Sequence, residues 1–262
     1  MMIRKLICYK IYAFTLFAIL YFYSCRLQSG SETISAGVAI TFDDVKYLED
    51  WLPAVERLNT NYEFRATFFV DHFDALGDKE IDNLHRLIDW GSEIGYHGLR
   101  HRDAVRYCAD NSVDKYIEEE IADGLQLMGE KGFFPASFAY PMGSREKEID
   151  NALLPYFRIL RGTYAEYIAK PPASFYQVRL HGGVINAVKI DTDAPYATSD
   201  ILKGLSYALQ YNCIILLYGH GISEQSLPMY VPCSRLETLC TFVRDNHMVF
   251  YTMSDLIQNR EN

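Results

Sequence analysis

Cysteine is scarce and never paired at metal-binding spacing. Six occur among 262 residues, none as Cys-x-x-Cys, which argues against a thiolate zinc site. No uncharged apolar run is long enough to cross a bilayer. The longest in the first thirty residues, Ile11 to Tyr23, falls short of the roughly 20 residues a spanning helix needs. Basic charge is also in deficit, with 25 Lys and Arg against 34 Asp and Glu and a net charge of −9. A phosphate-binding face needs the opposite balance, so nucleic acid is not an expected partner. Neutral or cationic sugar polymers remain compatible with that charge. There is no internal repeat and no low-complexity segment. What is abundant is aromatic side chain, 14% of the chain with 20 tyrosines. Core packing accounts for most such rings, and stacking on sugar faces is the alternative use.

The N-terminus reads as an export signal. Arg4, Lys5 and Lys10 precede the apolar run, and Ser24-Cys25 follows it, the order of a secretory leader. Ser24-Cys25 is where a bacterial lipoprotein signal would be cut and Cys25 acylated, although Phe22 stands where leucine is commoner. An ordinary secreted protein or an uncleaved anchor are the alternatives. The expected organisation is a signal over 1–24, a polar tether over 25–36, and one domain over 37–262. The protein is then expected at the cell envelope, attached to a membrane by lipid and monomeric. Export permits disulfides, but the spacing of Cys108, Cys213, Cys233 and Cys240 decides no pairing, and Cys213 reads as a buried thiol.

Within the domain, short apolar runs alternate with amphipathic helices. Val38–Phe42, Ala66–Val70, Glu93–Tyr96, Ser137–Tyr140, Cys213–Tyr218 and Met248–Tyr251 read as strands. Leu48, Trp51, Leu52, Val55 and Leu58 recur at helical spacing, as do Val113, Ile117, Ile121, Leu125 and Met128. Residues 148–156 are expected to be helical, and 159–194 to hold two or three short strands. The alternation predicts a single α/β domain, a distorted (β/α) barrel with about seven parallel strands.

The unusual polar residues follow the strands. Asp43 and Asp44 directly follow the first, His97 follows Glu93–Tyr96 with His101 four residues on, Pro141-Met142-Gly143 follow the fourth, and His220 follows Cys213–Tyr218. In a parallel barrel all strand C-terminal ends share one rim, where catalysis takes place. Each piece alone has a plainer reading: paired aspartates as a turn or helix cap, His-x-x-x-His as a solvated helix face, His220 as a satisfied core histidine. Together they make an N/O ligand set suited to zinc, cobalt, nickel or iron, with coordination positions left for water and substrate.

Thr41-Phe-Asp-Asp44, His97-Gly-Leu-Arg-His101, Phe138-Ala-Tyr-Pro-Met-Gly143 and Leu217-Tyr-Gly-His220 resemble, in order, the motifs of NodB-homology polysaccharide deacetylases (carbohydrate esterase family 4). The resemblance spans roughly residues 37–257. It implies one divalent metal, usually zinc, held by Asp44, His97 and His101, with Asp43 as general base and His220 as general acid. Tyr140, Pro141 and Met142 fall at the substrate and oxyanion position, through a backbone N–H near Met142. The implied substrate is acetylated polysaccharide, N-acetylglucosamine-type glycans first. Removal of O-acetyl groups and silent glycan binding are the alternatives. Two departures stand out: Val45 replaces a common glycine, and Ala139 stands where many members carry an arginine that pairs with the base. Arg161 is a candidate to support Asp43 instead, a surface or structural role being the alternative. Asp191-Thr-Asp193 is a candidate for the fourth motif, with a loop of solvated acids as the plainer reading.

Overall fold

The computed structural model describes residues 35–164, 176–177, 182–225 and 227–257. The signal, Cys25 and nearly all of the tether lie outside the described residues. No described helix is long and apolar enough to cross a membrane.

Seven parallel strands close into a barrel: β1 (Gly37–Asp43), β2 (Thr67–Val70), β3 (Glu93–Tyr96), β4 (Ser137–Ala139), β5 (Ile159–Thr163), β6 (Gly183–Lys189) and β7 (Ile214–Gly219). Each pairs with the next, and β7 returns to β1 from Gly37↔Ile214 to Phe42↔Gly219. An eighth strand, β8 (Val249–Tyr251), distorts the ring. It takes the Gly37–Ala39 half of one β1 edge while β2 takes the Thr41–Asp43 half. Strands covered on both faces need apolar residues at successive positions, and all seven residues of β1 are buried.

Helices pack outside. Leu48–Tyr62 buries Trp51, Leu52, Val55 and Leu58, the positions its sequence spacing marks. The helix expected over 148–156 spans Lys147–Leu153 and stops short, because Pro155 has no N–H with which to continue the ladder. Residues 113–130 form one run interrupted by a π turn over Ile117–Ala122. The apolar spacing of four from Val113 through Leu125 suits that wider turn better than a regular 3.6-residue repeat. The four described cysteines are unpaired, and Cys213 is buried.

Candidate active site

The rim at the strand C-terminal ends gathers residues spread over 178 positions of sequence. Asp43, Asp44, His97, His101, Tyr140, Met142, Arg161, Lys189, Tyr218 and His220 share one cavity of about 210 Å³. Pockets that enclose a drug-sized ligand run to about 300–1,000 Å³, so this one suits a small group presented by a larger molecule outside.

Asp44, His97 and His101 each offer a ligand atom within 4.8 Å of one another. Asp44 Oδ1 is 3.2 Å from His101 Nε2 and 3.6 Å from His97 Nε2. Donors about 2.0–2.2 Å from one ion sit roughly 3–3.5 Å apart, so the three fit a shared divalent cation. The donors are also aimed. A carbonyl can only accept, so His97 Nδ1 donates to the Ala139 carbonyl at 2.8 Å, which leaves Nε2 to bind. Burial pushes the His97 ring towards its neutral form. Asp44 Oδ1 is buried without a hydrogen-bond partner, while Lys46 Nζ holds Oδ2 at 2.9 Å. Burial alone would raise the Asp44 carboxyl, but His101, His97 and Lys46 together hold it well below the usual carboxylate range. A buried, unpartnered carboxylate oxygen facing two imidazoles is costly unless a cation completes it.

The backbone explains why Val45 can replace glycine. The positive-φ residue of this turn is Asp44, at φ 70° and ψ 106°, so Val45 itself is not asked for a conformation that favours glycine. Val45 begins a short 3-10 turn, and its N–H donates to buried Asp71 at 2.8 Å.

Asp43 faces a different set. Its Oδ2 accepts a hydrogen bond from Arg161, whose side chain is fully buried between the rings of Tyr218 and Phe69. Ala139 and Arg161 are partners in register on β4 and β5. The arginine absent at Ala139 is thus supplied from the adjacent strand. A surface role for Arg161 is excluded.

His220 is cradled by Asp191, which accepts from the His220 N–H at 3.0 Å and from Nδ1 at 2.7 Å. Asp191 is fully buried, so the expectation of a solvated loop acid is corrected. Ile190 N–H donates to Tyr218 and Thr192 N–H to Tyr230, folding the loop inward. Burial opposes protonation of His220, but the Asp191 hydrogen bond and the charges of Asp43, Asp191 and Asp44 outweigh it and raise its pKa. Trp51 Nε1 donates to the His220 carbonyl at 2.7 Å and fixes the residue from the helix side.

The third segment also needs correction. The Tyr140 hydroxyl turns into the core and donates to Asp150 at 2.8 Å. Tyr140 N–H is committed to the Arg161 carbonyl at 3.0 Å, and Pro141 has none. Only Met142, 65% exposed with φ 57°, could offer a backbone donor. Sequence reasoning missed Asp71 and Lys46 altogether.

The polysaccharide deacetylase family model matches residues 30–155, which include Asp43, Asp44, His97, His101 and Met142. This chain carries a polysaccharide deacetylase domain. Solved structures share its fold. The peptidoglycan deacetylase PdaC from Bacillus subtilis is 16% identical, with 86% of this chain and 91% of that one aligned at a TM-score of 0.51. A CE4 esterase of Streptococcus mutans is 16% identical, covering 84% and 87% at 0.56. A CE4-family pseudoenzyme of Bacillus anthracis is 15% identical, covering 87% and 67% at 0.53. At such identities the likeness concerns the deacetylase fold alone. No curated protein sequence matches the chain.

Proposed function

We propose that this deacetylase domain is an active metal-dependent hydrolase that removes N-acetyl groups from N-acetylglucosamine-type glycans, on an exported, lipid-anchored protein. The observation that carries the proposal is Asp44 Oδ1, buried without a hydrogen-bond partner and facing two imidazole nitrogens, with Asp43 and His220 beside it in one cavity. A divalent ion held there would supply Lewis acidity, polarising the acetyl carbonyl and acidifying water. Asp43, aimed by Arg161, is placed to take the proton that water gives up. His220, protonated and fixed through Nδ1 by Asp191, keeps Nε2 for the leaving sugar amine. Met142 N–H is the backbone donor available to the developing oxyanion. The small cavity fits an acetyl group carried by a polymer that stays outside it. Retention of both aspartates, His97, His101 and His220 argues against a silent binder, although the fold includes a pseudoenzyme.

The test is acetate release by detergent-extracted membranes of cells making the full chain. Release from N-acetylglucosamine oligomers and not from acetylated xylan is expected. Release from xylan alone would establish the O-acetyl reading, and activity confined to the soluble fraction would remove the anchor.

Asp191→Asn gives a pH test of the acid. The acid must be protonated, so activity falls as pH rises through the His220 pKa. Asparagine removes the charge that raises that pKa. The alkaline limb of kcat/KM should move to lower pH, with activity lost above the shifted limb. An unmoved limb would take the role away from His220.

A further inference from the structure

We infer that Glu120 is a positioning residue that pre-forms the loop carrying His101, so that the metal ligands stand in place before any ion arrives. The inference rests on the metal-site reading above, and its test separates the two.

Glu118, Glu119 and Glu120 form an acidic run on a helix, a pattern that ordinarily marks a solvated face. The exposure is not shared: Glu118 is exposed, whereas Glu120 has no accessible surface. It sits within the π turn Ile117–Ala122, and such turns cluster at functional sites. Its carboxylate reaches the 97–102 loop. Arg100 N–H lies 3.0 and 3.1 Å from the two carboxylate oxygens, and Arg102 N–H donates to Oε1 at 2.9 Å. These donors flank His101 on both sides. The Glu120 carbonyl accepts from Leu99 N–H at 3.1 Å and from the Tyr96 hydroxyl at 2.7 Å. One residue therefore fastens the loop at positions 99, 100 and 102, and also the last residue of β3.

The loop needs fastening. His101 sits at φ 52° and Gly98 at φ 86°. Gly98 has the freedom that this demands; histidine enters the left-handed region more readily than most residues, but still at a cost that surrounding contacts offset. The fit around the clamp is close. A Cβ on Gly98 would stand 2.6 Å from Glu120 Oε1, and one on Gly124 only 1.7 Å from the Tyr96 hydroxyl. A carboxylate that accepts two backbone N–H groups through one oxygen, buried where water cannot replace it, fixes the loop with little freedom to relax. Outer partners that orient metal ligands commonly change affinity by about 10–100-fold when removed.

The experiment is cobalt(II) titration of metal-free protein, following the visible d–d bands, alongside thermal unfolding of the metal-free forms. Glu120→Gln keeps an acceptor oxygen at the same reach and should bind within about threefold of wild type. Glu120→Asp keeps the charge but withdraws it by one methylene. It should weaken cobalt binding about 10–100-fold and alter the bands while its metal-free form melts close to wild type. Glu120→Ala should bind as weakly or more so, and if it does not fold the aspartate variant decides. Unchanged affinity and spectrum in Glu120→Asp would overturn the inference, as would losses that merely track melting temperature across all three variants. Failure of wild type to bind cobalt would instead overturn the metal-site reading.

Discussion

Alanine at both His97 and His101 should leave a folded protein with no tightly held divalent ion and no acetate release above background. Of the three ligands only Asp44 would remain, and one carboxylate does not retain a divalent ion against water. The activity loss should exceed the roughly 10²–10⁴-fold that a positioned acid or base contributes, because the group that both Asp43 and His220 serve would be gone. A second readout does not depend on turnover. A ligand that binds only the folded state stabilises it by about 2.7 kcal/mol at a hundredfold excess over Kd. For a domain of this size that raises the melting temperature by roughly 5–10 °C. Wild type should show the rise when zinc is added and the double variant none. The fold itself should survive, since His101 is partly exposed, the His97 side chain makes a single hydrogen bond, to the Ala139 carbonyl, and the His97 N–H bond to Val70 is kept by alanine. Turnover that persists after the ion is lost would defeat the mechanism. Stoichiometric metal in the double variant would defeat the ligand assignment.

That cluster was readable from sequence because a parallel barrel is regular. Each strand is a short apolar run, each ends on the same rim, and the residue after the run is therefore at the site. Asp44, His97 and His220 follow their strands directly, so no knowledge of packing was needed to bring them together. What sequence could not resolve depends on reach and register. Arg161 lies 118 residues from Asp43, and only the pairing of Ala139 with Arg161 across β4 and β5 shows that one strand can supply what its neighbour lacks. Asp191 stands in Asp-Thr-Asp, a composition typical of exposed loops, and it is buried by two backbone hydrogen bonds that no spacing announces. Tyr140 misled for the opposite reason. Its motif position is at the rim, but its N–H belongs to the sheet ladder and its hydroxyl to Asp150. Glu120 was hidden by its own neighbours, since three acids in a row read as one solvated face although the third stands about 200° round the helix from the first.

Arg161→Met should be the most destabilising change at the rim. Arg161 is fully buried and Asp43 nearly so, and the guanidinium donates to the carboxylate. Two further guanidinium nitrogens, Nε and Nη1, are buried without hydrogen-bond partners, as is Asp43 Oδ1, so the pair is not a fully satisfied network. Such a pair adds little net stability over apolar residues of similar size, yet removal of one member leaves a buried charge alone at a cost of about 3–5 kcal/mol. The melting temperature should fall by roughly 6–20 °C. Adding Asp43→Asn to Arg161→Met removes the orphaned charge and should recover most of that loss, an interaction that thermal unfolding of all four forms measures directly. Activity separates from stability here. The double variant should melt well but stay inactive, since the proposed base, Asp43, is gone. Arg161→Lys keeps a charge without the planar fork and should lose activity while remaining more stable than the methionine variant. If Arg161→Met melted like wild type, the pair would carry no structural charge compensation, and Asp43 would have to be held by something other than the arginine on β5.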